Sequence, residues 1–123
     1  MSGGSIIVRK SFLFAVRIVR LYKYLIENKK EYVLSKQLLR SGTAVGALVR
    51  EAQNAESGKD FIHKLAIAQK ECDETIYWLE LLKETDFITI KEFESVSMEA
   101  TELLKMIKSA IITTKQKLIT HNS

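Results

Sequence analysis

A seven-residue rhythm constrains the fold of this chain more than any other feature. In residues 57–84, apolar or small side chains recur at alternating steps of four and three, at Phe61, Leu65, Ala68, Cys72, Thr75, Leu79 and Leu82. This spacing lines one seam of an α-helix that packs against other helices. Ser57 and Asp60 supply a hydroxyl and a carboxylate for the free N–H groups of a first helical turn. The stretch is therefore predicted to be a core helix.

Similar spacing predicts three further helices. They cover about residues 8–28, residues 35–56 with Ser35 as N-cap, and residues 90–118 after a capping box formed by Thr89 and Glu92. Residues 1–7 are expected to form a flexible tail and residues 120–123 to fray. With no proline and only five glycines, the chain favours long helices joined by short links. The expected fold is all-α, a single-domain, up-down-up-down antiparallel four-helix bundle over residues 8–119.

The single cysteine, Cys72, lies on the apolar seam of the predicted core helix. It has no partner for an intramolecular disulfide, and we interpret it as a buried, unreactive thiol in a reducing compartment. The apolar run of residues 11–16 is interrupted by Arg17 and Arg20. It is too short for a signal-peptide core or a membrane span. The sequence therefore predicts a cytoplasmic protein.

Charge is distributed unevenly along the chain, although the formal net charge is only +4. Residues 1–50 hold ten Lys or Arg against two Glu, and residues 51–104 hold five Lys against thirteen Asp or Glu. The last segment, residues 105–123, holds four Lys and no acid. Basic ends around an acidic middle indicate either contact with a polyanion or pairing between oppositely charged helices or subunits.

The first predicted helix has a basic side. At about 100° per residue, one half of its circumference carries Arg9, Lys10, Arg17, Arg20 and Lys23. The other half carries a broad apolar stripe that includes Phe12 and predicts contact with more than one neighbour. The basic side is either a solvated surface or a stripe that binds phosphate groups. A location on a membrane surface is disfavoured because neighbouring helices compete for the apolar side.

Small residues fill the middle of the second predicted helix. Ser41, Gly42 and Gly46 belong to this run, although each glycine costs about 1 kcal/mol of helix stability relative to alanine. Close approach of a neighbouring helix is the favoured explanation. Contact of the exposed backbone with a ligand or a phosphate is the alternative, although no Gly-Lys-Ser/Thr motif of a nucleotide-binding loop follows.

Neither a catalytic constellation nor a metal site is predicted. Asp60 and His63 stand three residues apart, as ligands of di-iron bundles do, but the only other histidine is His121 near the end of the chain. Glu71 and Glu74 lie along one side of the core helix, beside its seam. A hydrolase with two catalytic carboxylates needs a pocket that raises one pKa above the other, and the sequence indicates none. No cofactor is expected.

The two glutamates are instead expected to pair with a cation. Arg40, Arg50 and Lys70 are the candidates, within the bundle or across a subunit boundary, and such a pair more often fixes register than catalyses a reaction. Tyr77 and Trp78 are adjacent in sequence, so they face different directions and suit contacts with the core and with an interface.

Several segments of the chain resemble one bacterial family. They read SFLFAVRIVRLYKYL, QLLRSGTAVGALVREAQNAES and KDFIHKLAIAQKECDETIYWLELLKE, followed by the helix from Phe93. Over about residues 11–115, the chain resembles the four-helix bundle proteins first noticed as reading frames in intervening sequences of 23S ribosomal RNA genes. The same family includes the accessory variability determinant of diversity-generating retroelements. The positions that match the family's patterns are Arg40, Ser41, Gly42, Gly46, Glu51, Lys70, Glu71, Glu74, Tyr77 and Trp78.

The resemblance implies a ring-like homo-oligomer, a homopentamer, without known catalytic activity. In the retroelement member it also implies a basic surface that associates with reverse transcriptase and nucleic acid. We therefore expect a non-enzymatic bundle that binds RNA, DNA or a nucleic-acid-processing protein through the basic side of the first helix, helped by the lysines after Leu104. The competing hypothesis is a structural scaffold whose charges serve only subunit contacts, protein partners and solubility.

Overall fold

Four antiparallel helices form the molecule. The computed structural model describes residues 2–122, including the side chains of residues 6–120. The helices are α1 (Ser2–Asn28), α2 (Leu34–Gln53), α3 (Gly58–Glu84) and α4 (Ile90–Asn122). Consecutive helices pack side by side, and α4 returns alongside α1, although this last pair packs less closely than the other three. The predicted all-α, up-down-up-down topology is confirmed.

The bounds of α3 agree with the prediction from its seam and its cap. Ser57 is the N-cap, and its hydroxyl accepts a hydrogen bond from the backbone N–H of Asp60 at 3.1 Å. The buried residues of α3 are the predicted seam without Phe61, which is half-buried: Leu65, Ala68, Cys72, Thr75, Leu79 and Leu82. At the start of α4, the capping box is also confirmed, because Thr89 and Glu92 exchange hydrogen bonds of 2.8 and 3.0 Å.

The two outer helices are longer than predicted. α1 begins at Ser2, so residues 2–7, which were expected to form a tail, belong to the helix, while residue 1 lies outside the described part of the chain. Ile7, only 6% exposed, belongs to the core, which gives the early turns of α1 something to pack against. α4 continues to Asn122 instead of residue 118, and residue 123 lies outside the description. Here Leu118 packs against Gly58 at the start of α3 and extends the interface between the two helices.

The start of α2 corrects the prediction for Ser35. The N-cap position is Val33, whose side chain makes no capping hydrogen bond. The Glu31 carboxylate accepts hydrogen bonds from the N–H groups of Val33, Leu34 and Ser35 at 3.2, 3.0 and 2.7 Å. Ser35 is buried in the first turn, where its hydroxyl donates to the Glu31 carbonyl at 2.7 Å. A carboxylate from the preceding turn thus performs the capping that was assigned to Ser35. At its other end α2 stops at Gln53, earlier than the predicted residue 56.

Small residues of α2 let α1 approach closely, as predicted. A Cβ atom on Gly42 would lie 2.8 Å from the side chain of the fully buried Ile18. A Cβ atom on Gly46 would lie 3.0 Å from the backbone oxygen of Ser11. Neither space accommodates a methyl group without movement of α1, so both glycines are explained by helix packing.

The interior leaves no described polar group without a partner. Every buried side-chain nitrogen or oxygen among the described residues forms a hydrogen bond. Between α2 and α3, Thr75 donates to Ser41 Oγ at 3.0 Å, with the Glu71 carbonyl 2.7 Å away as an alternative acceptor. Over residues 2–122, no helix combines the length and apolarity needed to cross a bilayer.

Candidate nucleic-acid interface

Two of the five cations predicted on α1 are engaged by α4. Lys10 pairs with Glu102 at 3.1 Å. The Arg17 guanidinium lies 2.6 Å from the Glu99 carboxylate, and it donates to the hydroxyl of Ser95 at 2.6 Å. Because α4 runs antiparallel beside this side of α1, its acidic first half neutralises these two cations. They are therefore less available to an external phosphate than the sequence pattern indicated.

The other three predicted cations remain exposed. Arg9, Arg20 and Lys23 form no ion pair with any residue in the described part of the chain. Arg9 and Arg20 are eleven residues apart, which places them about three turns apart along nearly the same line of the helix. Lys23 follows Arg20 by one turn. The candidate site therefore contains three free cations on the solvent side of α1.

Apolar side chains lie among these cations, which corrects the prediction of separate basic and apolar halves. Leu13 is 48% exposed and Tyr24 37% exposed, and Val16 is half-buried between them. We call this mixed surface the outer face of α1. It consists of Arg9, Leu13, Val16, Arg20, Lys23 and Tyr24. The signal was present in the sequence, because at about 100° per residue Leu13 and Val16 lie on either side of the line that joins Arg9 and Arg20, within about 40° of it.

A groove of about 580 Å³ runs along the outer face of α1 where it meets α4. Leu13, Leu21 and Tyr24 contribute apolar surface on the α1 wall, and Val96 contributes it on the α4 wall. Arg17 and Arg20 bring positive charge to one wall, whereas Glu92 and Glu99 bring negative charge to the other. Since carboxylates repel phosphate, a polyanion is expected to contact the solvent side of α1 and not the depth of this groove.

Phe12 also departs from its predicted place in the apolar stripe. Its ring is 51% exposed, and the guanidinium of Arg50 lies over it, 5.6 Å from the ring centre. This cation–π contact joins α1 to α2 at the surface. It also removes Arg50 from the three candidate partners of Glu71 and Glu74.

Arg40 is the cation that binds both of these glutamates. Its guanidinium contacts Glu71 at 3.2 Å and also contacts Glu74. The indole N–H of Trp78 points to Glu74 at 3.5 Å, and the Tyr77 ring meets Trp78 edge to face at 5.0 Å. The two carboxylates and one guanidinium bridge α2 and α3, so the expected pairing with a cation is present, although the pair is partly exposed to solvent.

The remaining matched positions of the family pattern have structural surroundings. Glu51 pairs with Lys64 of α3 at 3.4 Å. Ser41 lies in the buried interface with Thr75, and Gly42 and Gly46 lie against α1. Lys70 is exposed and has no ion-pair partner among the residues described, so it was wrongly offered as a partner of the glutamates.

The other histidine, aspartate and cysteine side chains considered as reactive groups or metal ligands do not come together as one site in the described part of the chain. Among the described residues, no three His, Cys, Asp or Glu side chains cluster in a way that could hold a metal ion. His63 is exposed, Asp60 accepts a capping hydrogen bond from Glu56, and His121 lies outside the described side chains. Burial, together with the neighbouring Asp73 carboxylate, raises the pKa of the Cys72 thiol to about 12. Its thiol donates to the Ala100 carbonyl at 3.2 Å.

Comparison with known proteins agrees with the sequence resemblance. A crystal structure of a protein of unknown function from the S23 ribosomal protein family of Bacteroides thetaiotaomicron VPI-5482 is 52% identical in sequence, with a TM-score of 0.88. The similarity covers 89% of this chain and 97% of that one. No curated protein matches the sequence. The family model described as 23S rRNA-intervening sequence protein matches residues 4–109. The chain therefore belongs to the family of 23S rRNA-intervening sequence proteins.

Proposed function

We propose that this protein is a non-enzymatic, cytoplasmic homo-oligomer that binds nucleic acid, or a nucleic-acid-processing protein, through the outer face of α1. The observation that carries the proposal is the exposure of Arg9, Arg20 and Lys23 without ion-pair partners in the described chain. Free cations contribute more binding free energy to a phosphate contact than paired ones, because cations already paired with carboxylates must first lose those partners.

Three cations on one copy give weak affinity, so the proposal depends on repetition. In a symmetric ring each copy would present the same outer face, and the linked contacts would sum to useful affinity. The family resemblance implies five copies. Lys105, Lys108, Lys115 and Lys117 are all exposed on α4 and would add to the positive field around the same molecule.

The experiment compares two triple variants in fluorescence-anisotropy titrations of labelled single- and double-stranded RNA and DNA. One is Arg9→Glu, Arg20→Glu, Lys23→Glu on the outer face. The other is Lys36→Glu, Lys59→Glu, Lys91→Glu, which changes net charge equally at exposed positions in the first turns of α2, α3 and α4. Negative charge is favourable in first turns, so the control is expected to fold. Arg17 is left intact because it contacts α4.

Binding that falls with salt, survives in the control and disappears in the outer-face variant would support the proposal. Equal loss in both variants would mean that net charge alone attracts the nucleic acid, and the outer face would then be rejected as a site. Wild-type protein that binds no nucleic acid at low salt would remove the nucleic-acid part of the proposal.

A second candidate is a scaffold in which the outer face of α1 is a contact between copies. The half-exposed Leu13 and Tyr24 favour it, because apolar side chains among charges are typical of interfaces. Oligomer mass, measured by light scattering on the same samples, separates the two functions. A triple outer-face variant that dissociates into smaller species would support the scaffold. One that keeps its oligomer mass and no longer binds nucleic acid would support the first candidate.

A further inference from the structure

A crevice enters the bundle at the end where α1 begins and α4 finishes. It encloses about 580 Å³, within the size range of small-molecule pockets, which often lie between the helices of bundles. Ile7 of α1 and Met106 and Ala110 of α4 line it, and Phe61 and Leu65 of α3 reach it from inside the bundle. Ile7 and Leu65 are themselves buried, so the accessible apolar surface of the crevice comes from the half-buried Phe61, Met106 and Ala110.

The crevice lies beside α1 and α4, the neighbouring helices that pack least closely. The ion pair between Lys10 and Glu102 holds the two helices together one turn before the crevice begins on α4. Beyond that pair, the lining residues of α4 include Ala110 and Thr114, whose short side chains take up little of the space. Phe61, Met106 and Ala110 keep part of their apolar surface in contact with water, and covering that surface with an apolar group would lower the free energy.

The rim of the crevice carries positive charge only. Lys105, Ser109, Thr113 and Lys117 follow one another at steps of four, so they form a single row along α4. The two lysines stand about 18 Å apart along the helix axis, at twelve residues of 1.5 Å each. Neither has an ion-pair partner among the described residues, and none of the residues lining the crevice is Asp or Glu.

We propose that this crevice binds a single-chain amphiphile with an anionic head group, of the fatty-acid class. The chain lies on Phe61, Met106 and Ala110, and the carboxylate binds Lys105 or Lys117 at the rim, helped by the hydroxyls of Ser109 and Thr113. Charge complementarity selects this occupant, because a neutral chain leaves both lysines unused and a cationic amphiphile is repelled. The site is separate from the outer face of α1, so the proposal does not depend on nucleic-acid binding.

The methionine methyl groups report on the crevice directly. Met106 lines it, whereas Met98, on the same helix, is 65% exposed and lies outside it. In protein labelled with ¹³C at the methionine methyls, titration with decanoate is expected to shift the Met106 resonance saturably and to leave Met98 in place. 1-Decanol, which has the same chain without the charge, should bind about tenfold more weakly, the loss of one charge-assisted hydrogen bond.

Two variants and a matched control test the assignment. Lys105→Gln with Lys117→Gln is expected to weaken decanoate binding about tenfold. Lys108→Gln with Lys115→Gln removes the same charge from exposed positions of α4 outside the crevice and should leave decanoate binding unchanged. Ala110→Trp fills the crevice and should abolish binding; if it fails to fold, the lysine variants still decide.

Three results would overturn the proposal. One is a Met106 resonance that does not respond to decanoate up to its solubility. Another is an equal, non-saturable shift of Met98 and Met106, which would indicate general adsorption. The third is a shift of the Met106 resonance when the protein is diluted without decanoate, accompanied by a fall in oligomer mass. That result would mean that a second copy of the chain covers the crevice in the oligomer.

Discussion

The edge between α2 and α3 and the edge between α1 and α4 both carry an ion pair between arginine and glutamate, yet the helices pack much more closely at the first edge. At the α2–α3 edge, Arg40 binds Glu71 and Glu74, and beneath it Thr75 bonds to Ser41 in the interior. At the α1–α4 edge, Lys10 pairs with Glu102 and Arg17 pairs with Glu99. An open groove along α1 and an open crevice at the end of the bundle nevertheless remain. Since ion pairs are present at both edges, the difference in packing depends on the side chains beneath them.

The largest expected difference comes from the same substitution made in the core and on the open edge. Leu79→Ala removes a fully buried side chain of α3 and should lower the free energy of unfolding by about 2–5 kcal/mol. Leu13→Ala, on the outer face of α1, should change it by less than about 0.5 kcal/mol. Denaturant unfolding followed by far-UV circular dichroism measures both. A large, concentration-dependent loss in the Leu13 variant would instead show that another copy covers that face.

The next largest effect is expected at the turn that joins α1 to α2. Glu31→Ala removes the acceptor of three backbone N–H groups and should cost about 1–2 kcal/mol. Burial by itself raises the pKa of Glu31, but the hydrogen bonds from Leu34, Ser35 and Val33 outweigh it, so the net pKa is lowered. The folded state therefore favours the carboxylate.

This depressed pKa fixes the sign of the pH dependence. The stability that Glu31 contributes is present above the pKa of the unfolded chain, about 4.3, and is lost as the pH falls through the lower folded value. The stability gap between wild type and Glu31→Ala should therefore be constant near neutral pH and narrow under acid. A gap that stays constant through the acid range would contradict the capping role.

A smaller effect is expected from removing one arginine at each edge. Arg40→Ala leaves Glu71 and Glu74 facing each other one turn apart and should cost up to about 1 kcal/mol at low salt, since the pair is largely exposed to solvent. Arg17→Ala should cost about half as much, because it leaves one carboxylate, Glu99, without a partner. Both losses should shrink at high salt, and unfolding at two salt concentrations measures this. Equal, salt-independent losses would mean that packing of the arginine stems dominates.

The smallest reaction rate is expected for labelling of the Cys72 thiol in the native protein. With its pKa raised to about 12 and its side chain buried, Cys72 should react with iodoacetamide only at the rate of unfolding. In a Cys72→Ala background, Ser109→Cys places a thiol on the rim of the crevice and should react quickly. Rapid labelling of Cys72 would show that the core opens locally between α3 and α4.

What could be predicted from the sequence was largely local. The start of α3 at Ser57 and the capping box of Thr89 and Glu92 depend on neighbours within one turn, and both are found as expected. The seam of α3 follows from helix periodicity in the same way. Ser35 failed as an N-cap because the competing carboxylate of Glu31 reaches it through a turn in which Lys30 adopts a φ of 54°. Sequence spacing contains no information on that turn.

Features that depend on which helices meet were beyond sequence spacing. Lys10 and Arg17 are basic residues on the same predicted side of α1 as Arg9 and Arg20. Only the position of α4 distinguishes the paired cations from the free ones. The crevice could not be predicted either, because it results from the loose fit of α1 against α4 rather than from any motif. The choice of Arg40 over Arg50 and Lys70 has the same origin.

An even number of antiparallel helices brings both ends of the described chain to one end of the bundle, beside the crevice. A tag, label or fused domain attached at either end would therefore sit next to that opening. It would obstruct entry of an acyl chain or cover the crevice itself. The turns at residues 29–33 and 85–89 lie at the opposite end. Reporter groups and insertions placed in those turns would leave the opening clear.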